Sequence, residues 1–268
     1  MKFFDIYIKG SIHVALSVFS LVKMTQFLFL ISDNDEVAYF AFFGTIVGYN
    51  FVKYDALARV QKQQMSLQLK IIAFFSFFCL LATAYFFFQL QTITKLIGFV
   101  FFLLTLLYTL PFFPNKKNAR NWAGIKIYIV TICWLGVTLF LPLINANLPF
   151  TEDALLVGIQ RFILIFVLIL IFEIIDLQQD DPHLQTVPQQ IGVQKTKIVG
   201  SLLLFIFILV EFFEHKFNWN FFLLKLGIAS TTLLFLLFSN DKKSKYYTSF
   251  WVESIPIFWY VLLLIYSK

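Results

Sequence analysis

Three carboxylates follow one another at close to helical spacing at the end of an apolar segment: Glu173, Asp176 and Asp180. At about 100° per residue, a helix would place them within roughly 60° of one another on a single face. Carboxylates stacked in this way repel each other unless a cation lies among them. Mg²⁺ takes carboxylate oxygens and commonly shares its coordination with substrate phosphates. The spacing therefore predicts either a magnesium and phosphate site or a solvated acidic helix end, because Asp180 and Asp181 could also be loop residues.

The elements that position these carboxylates are apolar segments long enough to cross a bilayer. Hydrophobic residues make up 60% of the chain and charged residues 13%, far from the balance of a soluble domain. A membrane-spanning helix needs about 20 predominantly apolar residues. The pattern predicts an all-α membrane protein with nine transmembrane helices in a single domain over residues 1–268. The predicted spans are 14–31, 37–52, 71–90, 96–113, 125–144, 155–176, 197–213, 219–238 and 249–266.

Basic residues predict the direction of these helices. Most lysines and arginines fall in the N-terminal segment and the longer connectors, whereas Lys95, Lys216 and Lys268 fall on the other side. The positive-inside rule then makes the N-terminus cytoplasmic and the C-terminus extracytoplasmic. The net charge of +6 is explained by orientation towards an anionic lipid surface, so it does not indicate nucleic-acid binding. Lys23, Arg161 and Lys225 lie within helices, where snorkelling or pairing is expected.

The segment after the carboxylates adds a second pattern. Residues 184–192 read Leu-Gln-Thr-Val-Pro-Gln-Gln-Ile-Gly and lead into the seventh predicted helix. An acidic D/E-x-x-D-x-x-x-D spacing followed by a T-V-P…I-G segment resembles the second signature of the UbiA superfamily of intramembrane prenyltransferases. The resemblance implies a nine-helix bundle with acidic motifs after helices two and six, where Mg²⁺ holds a prenyl diphosphate. It implies Asp176 and Asp180 as catalytic, metal-binding carboxylates, with Glu173 as a supporting metal ligand.

The first signature of that family, N-D-x-x-D-x-x-x-D, is incomplete after the second predicted helix. Asn50 matches its first position, and the resemblance assigns it to the opposite wall of the catalytic site. The three expected acids are Phe51, Tyr54 and Ala58. Asp55 is one position out of register, so on a regular helix it points about 100° away from Tyr54. If the helix unwinds locally, Asp55 becomes a second metal-binding carboxylate.

Basic residues beside this segment are candidates for contacts with a diphosphate. They are Lys53, Arg59 and Lys62. An ammonium at Lys53 could pair with Asp176 or Asp180 and replace one metal ion by a fixed charge. Lys53 could equally be an ordinary lysine of the cytoplasmic side. In the first case the acidic cluster is satisfied without Mg²⁺.

Other ionisable residues give weaker indications. Glu211 and Glu253 lie near the ends of predicted helices, and ionisable residues at membrane depth are candidate sites. Glu253 either faces the same cavity as Asp176 or pairs with a lysine such as Lys225. The histidines, His13 among them, show no ligand spacing and are predicted to be surface residues.

The sequence leaves three functions open. The resemblance implies Mg²⁺-dependent transfer of a prenyl group from a prenyl diphosphate to an aromatic or other lipophilic acceptor. The incomplete first signature favours a catalytically inactive relative that binds an isoprenoid or quinone, or scaffolds a partner. A transporter is disfavoured because glycines are scarce and no internal repeat is evident. The N-terminal segment lacks a signal-peptide core, and the expected location is a bacterial cytoplasmic membrane.

Overall fold

Apolar α-helices make up most of the described chain. The structure is a computed structural model that describes residues 3–31, 35–60, 66–109, 124–215 and 217–266, with the backbone alone at residues 3, 55–60 and 107–109. Within these ranges there is no β-strand. The α-helices are α1 (Phe3–Lys9), α2 (Ile12–Leu28), α3 (Asp35–Val60), α4 (Leu67–Gln89), α5 (Thr92–Thr109), α6 (Lys126–Leu135), α7 (Leu141–Asn145), α8 (Glu152–Ile175), α9 (Val187–Ile191), α10 (Val193–Val210), α11 (Trp219–Phe238) and α12 (Ser254–Tyr266).

Six helical segments of the described chain are long and apolar enough to cross a membrane. They are Leu67–Gln89, Lys126–Asn145, Glu152–Ile175, Val193–Phe213, Trp219–Phe238 and Tyr247–Tyr266. The prediction of an integral, multi-pass membrane protein is therefore confirmed. The predicted spans 14–31, 37–52 and 96–113 correspond to α2, α3 and α5. Because α2 and the described apolar part of α5 are shorter, the count of nine spans stays a prediction.

Several helices begin at side chains that satisfy the free N–H groups of the first turn. The Ser66 side chain accepts a hydrogen bond from Leu69 N–H at 3.3 Å, and Thr151 does the same for Ala154 at 3.2 Å. Asn218 accepts from Asn220 N–H at 2.8 Å. Each such cap contributes about 1 kcal/mol, so these connectors fix where α4, α8 and α11 start.

A proline and a π-helical turn shape the segment between α6 and α7. Pro142 has no N–H and cannot bond to the carbonyl of Thr138, four residues earlier. The π-helical turn Gly136–Phe140 immediately precedes α7, as expected where the regular hydrogen-bond ladder is interrupted. The Thr138 carbonyl instead accepts a hydrogen bond from the Thr25 hydroxyl at 2.6 Å. Pro142 therefore interrupts the regular α-helical hydrogen bonding without ending the helical segment, and Thr25 of α2 satisfies the freed carbonyl.

The chain divides into two compact units. Unit 1 contains residues 1–109 and 137–148, and unit 2 contains residues 110–136 and 149–268. In unit 1, α3 packs against α2 and α4. In unit 2, α8 packs against α6, α10 and α11, and the absence of a side chain at Gly200 lets α10 approach Leu236 of α11 closely. The prediction of a single domain over residues 1–268 stays a prediction.

Large apolar side chains lie on the outside of these helices. Phe74, Phe77 and Phe78 of α4 are all more than half exposed. Contiguous apolar surface of this kind is unusual on a soluble monomer and is what a lipid-facing helix requires. The abundance of phenylalanine is thus explained by contact with lipid.

Candidate functional site

The second acidic segment lies at the C-terminal end of α8 in unit 2. The helix ends at Ile175, and Asp176 is its C-cap, with its N–H bonded to the Phe172 carbonyl at 2.9 Å. The chain then turns, and the Asp180 N–H bonds back to the Asp176 carbonyl at 2.9 Å. The prediction that all three carboxylates stack on one helix face is therefore wrong for Asp180, which lies in the turn after α8.

Glu173 is buried and bonded within the protein. It is 2% exposed, and its carboxylate accepts a hydrogen bond from the Val187 N–H at 3.1 Å. Val187 is the first residue of α9, so the carboxylate lies at a helix N-terminus, where a negative charge is favoured. Glu173 thus ties the end of α8 to the start of α9.

Asp180 has a basic partner on another helix. Its Oδ2 lies 3.3 Å from the Nζ of Lys126, the first residue of α6, and both side chains are largely buried. The Gln189 side-chain amide donates a longer bond of 3.4 Å to the Asp180 carbonyl. The sequence did not mark Lys126 as a site residue, because it was assigned only to the cytoplasmic charge pattern. Its position at the start of an apolar helix, after a basic connector, was the available signal.

The T-V-P…I-G segment forms α9 and the turn that ends it. Thr186 and Gln189 make a capping box at its start, with the Gln189 side chain accepting from the Thr186 N–H at 2.9 Å. Pro188 occupies the first turn, where its missing N–H has no cost. Gly192 then adopts φ 81° and ψ 157°, a conformation that residues with a β-carbon rarely take. The pattern seen in the sequence therefore encodes a short capped helix that holds the acidic turn against α8.

The residues of the first segment form a polar cluster within unit 1. Asn50 is 4% exposed; its carbonyl accepts from the Ser11 hydroxyl at 2.8 Å, and its amide donates to the Gly10 carbonyl at 3.1 Å and to Ser76 at 2.8 Å. Lys53 donates to the same Ser11 hydroxyl at 3.0 Å. The Tyr54 hydroxyl donates to a carbonyl of the same corner, that of Lys9, at 2.9 Å.

Asn50, Lys53 and Tyr54 therefore share one face of α3 and hold the corner between α1 and α2. The side chains of Asp55 and Arg59 and the whole of Lys62 lie outside the described residues. Their proposed roles in metal and diphosphate binding stay predictions, as does the pairing of Lys53 with Asp176 or Asp180.

Two further expectations are corrected by the described contacts. Lys225 does not take Glu253 as its partner, because its ammonium bonds to Glu211 and Glu214. His13 was expected at the surface, but it is 4% exposed and its ring bonds to the Tyr7 hydroxyl at 2.7 Å. Hydropathy predicts how deep in the membrane a residue lies, whereas these contacts depend on the rotation of each helix about its axis.

The donor set at the second segment consists of two carboxylates rather than a preformed metal cage. In the described part of the chain, no three His, Cys, Asp or Glu side chains are placed to hold a metal ion. Mg²⁺ commonly uses one or two carboxylates and takes its remaining ligands from water and substrate phosphates. Asp176 and Asp180 could supply the two carboxylates. A second ion would depend on Asp55, because the other acids of the first signature are absent from the sequence.

Comparison with known proteins gives a fold match over almost the whole chain. A solved structure of a digeranylgeranylglyceryl phosphate synthase in membranes matches with a TM-score of 0.56, 14% sequence identity, and coverage of 97% of this chain and 93% of the other. That enzyme is an intramembrane prenyltransferase of the UbiA superfamily. The chain has a UbiA-type fold. The resemblance drawn from the signature residues is thereby confirmed at the level of the fold. No family model and no curated protein matches the sequence.

Proposed function

We propose that this chain is a UbiA-type membrane prenyltransferase that transfers a prenyl group from a prenyl diphosphate to an aromatic or other lipophilic acceptor. The observation that carries the proposal is the acidic turn after α8: Asp176 and Asp180 are held at the end of a membrane helix by a capped α9. It occurs in a fold shared with a membrane prenyltransferase. A fold alone does not determine chemistry, so the acidic turn carries the functional part of the argument.

The polar residues of unit 2 would have the following roles in metal and diphosphate binding. Asp176 and Asp180 would hold one Mg²⁺ together with the diphosphate, and Lys126, 3.3 Å from Asp180, would contribute a positive charge beside the phosphates. The metal, when bound, supplies stabilisation of the negative charge that develops on the leaving diphosphate. Glu173 positions the turn through its bond to Val187.

Aromatic rings of unit 2 would protect the allylic cation. The rings of Tyr128 on α6 and Phe166 on α8 lie 5.6 Å apart, and Phe162 stacks on Phe166 at 6.0 Å. Each aromatic face that a cation meets contributes about 0.5–2 kcal/mol. These rings lie on the membrane side of the acidic turn along the same helices, where the prenyl chain would extend into apolar surroundings.

A catalytically inactive relative is the second candidate, and a specific observation favours it. Asn50 uses both its carbonyl and its amide in bonds within unit 1, and Asp180 is already paired with Lys126. A chain that had lost metal binding could keep these contacts for stability alone. The two candidates differ in whether a prenyl diphosphate binds in a Mg²⁺-dependent way.

The test is prenyl diphosphate binding to the purified full-length chain in detergent. We expect binding to require Mg²⁺ and to weaken at least tenfold, about 1.4 kcal/mol, in Asp176→Asn. Asp181→Asn is the matched control, because the Asp181 side chain is exposed and accepts the local His183 N–H at 2.9 Å. Equal binding with chelator and with Asp176→Asn would reject a metal-dependent prenyltransferase and leave the inactive relative.

A further inference from the structure

The side chain of Gln189 connects α9 to the acidic turn, residues 176–181, through three hydrogen bonds. Its carbonyl oxygen accepts from the Thr186 N–H at 2.9 Å and belongs to the capping box at the start of α9. Its amide nitrogen donates to two backbone carbonyls of the turn, that of Asp180 at 3.4 Å and that of Asp181 at 3.3 Å. One side chain therefore both caps a helix and holds the turn that carries Asp180.

The partners of Gln189 allow one orientation of its side-chain amide. The Thr186 N–H is a donor and needs the amide oxygen, whereas the two carbonyls of the turn are acceptors and need the amide nitrogen. A flipped amide would lose all three bonds, so the network itself assigns the oxygen and the nitrogen. The side chain of Gln189 is half-buried, which limits the water that could replace these partners.

Asp180 is held at three points, and Gln189 supplies one of them. The Asp180 N–H bonds to the Asp176 carbonyl at 2.9 Å, and its carboxylate pairs with Lys126 at 3.3 Å. Among the described contacts, the donor to the Asp180 carbonyl is the Gln189 amide. The backbone and the side chain of Asp180 are thus both fixed by contacts within unit 2.

The second set of bonds explains why the residue at this position is glutamine rather than glutamate. Both residues complete a capping box, and glutamate would also interact favourably with the helix dipole. A carboxylate, however, has no proton to donate to the carbonyls of Asp180 and Asp181. Capping alone therefore does not require an amide at position 189, whereas holding the acidic turn does.

We propose that Gln189 is a positioning residue of the diphosphate site, where it fixes the backbone of Asp180 and so the place at which the Asp180 carboxylate is presented. This role rests on the proposed function, because it concerns the binding of a prenyl diphosphate at the acidic turn. A site whose groups are ordered before the ligand arrives loses less conformational entropy on binding. Gln189 acts through Asp180 and does not itself contact the substrate.

Gln189→Glu separates the two tasks of this side chain. A carboxylate oxygen keeps the bond from the Thr186 N–H, so the thermal midpoint of the full-length chain in detergent should stay close to that of the wild type. The donors to the turn are lost, so the backbone amides of residues 176–181 should exchange hydrogen for deuterium about two- to tenfold faster, the effect of losing one hydrogen bond. This exchange measurement needs no ligand.

The affinity for a prenyl diphosphate tests the positioning role itself. With Mg²⁺ present, Gln189→Glu should bind a farnesyl diphosphate probe about two- to tenfold more weakly than the wild type. Gln190→Glu is the matched control, because it adds the same charge at the next position and also removes a donor to a backbone carbonyl, that of Gln185 at 2.6 Å. The Gln190 side chain is exposed and does not bond to the acidic turn, so this control should keep the wild-type affinity and exchange.

Gln189→Met shows whether the added charge causes the effect. It removes the bonds to the turn without introducing a carboxylate, so its affinity, measured well below its midpoint, should fall as in Gln189→Glu. Its midpoint should also fall, because the capping bond is lost with the others.

The positioning role is overturned if Gln189→Glu matches Gln190→Glu in either exchange or affinity, or if Gln189→Met binds the probe as the wild type does. Faster exchange with unchanged affinity would make Gln189 a structural residue alone. A wild type that binds no prenyl diphosphate would overturn the proposed function as well, and that result is distinct because it is obtained before any variant is compared.

Discussion

Replacing Lys225 with methionine is expected to lower the free energy of unfolding by about 3–5 kcal/mol, the cost of leaving a buried ion pair without one partner. Methionine fills similar space and removes only the charge and its donors. Glu211, fully buried, and Glu214 would then face each other with only the Gln160 amide as a described donor. The loss can be measured by denaturant titration of the purified chain in detergent.

Lys23→Met provides the control for this prediction, because Lys23 also lies 2.6 Å from a carboxylate, that of Asp35. The two pairs differ in burial: the Lys23 and Asp35 side chains are 26% and 53% exposed. An exposed pair of this kind contributes about 0–1 kcal/mol. If Lys225→Met cost no more than Lys23→Met, the contacts of Lys225 with Glu211 and Glu214 would not form a buried ionic network. Adding Glu211→Gln to Lys225→Met should recover part of the loss, because it removes one uncompensated charge.

The helical architecture could be predicted because hydropathy and charge act along the chain. The predicted span 155–176 corresponds to Glu152–Ile175, and 219–238 coincides with Trp219–Phe238. Both ends of these helices are fixed by polar residues that cannot enter the bilayer and by caps such as Thr151. The acidic segment was also predictable, because its spacing and the following Thr-Val-Pro pattern are local features of the sequence.

The partners of the ionisable side chains could not be predicted in the same way. Asp180 meets Lys126, which is 54 positions away in the chain, and Lys225 meets Glu211 and Glu214 rather than Glu253. These choices depend on the rotation of each helix about its axis. That rotation is set by packing, for example by the close approach that Gly200 allows. Because every face of a membrane helix is apolar, the sequence does not show which face of the helix points inwards.

Asn50→Leu should destabilise unit 1 by about 2–4 kcal/mol, because several buried polar groups lose their partner at once. Losing one hydrogen bond costs about 0.5–1.5 kcal/mol, and a buried group left unsatisfied costs about 1–3 kcal/mol. The Gly10 carbonyl would lose the Asn50 donor at 3.1 Å, and the Ser11 hydroxyl would lose its acceptor at 2.8 Å. Ser76 retains its own bond to the Ile72 carbonyl, so it should contribute less to the loss.

Tyr54→Phe is the matched comparison, because it removes a single hydroxyl bond to the same corner, from Tyr54 to the Lys9 carbonyl. We expect it to cost less than 1.5 kcal/mol, about the upper value for one hydrogen bond. Prenyl diphosphate affinity of both variants, measured well below their thermal midpoints, separates the two roles that Asn50 can have. A structural Asn50 lowers the midpoint and leaves the affinity of the folded protein unchanged.

A loss of affinity at an unchanged midpoint would instead place Asn50 in the substrate site that its match to the first signature predicts. The described bonds favour the structural outcome, since the carbonyl and amide of Asn50 both have partners within unit 1. A residue kept for packing would also explain how Asn50 persists beside Phe51 and Ala58, where the signature expects acids. The asparagine is then retained because it joins α1, α2, α3 and α4, independently of any metal.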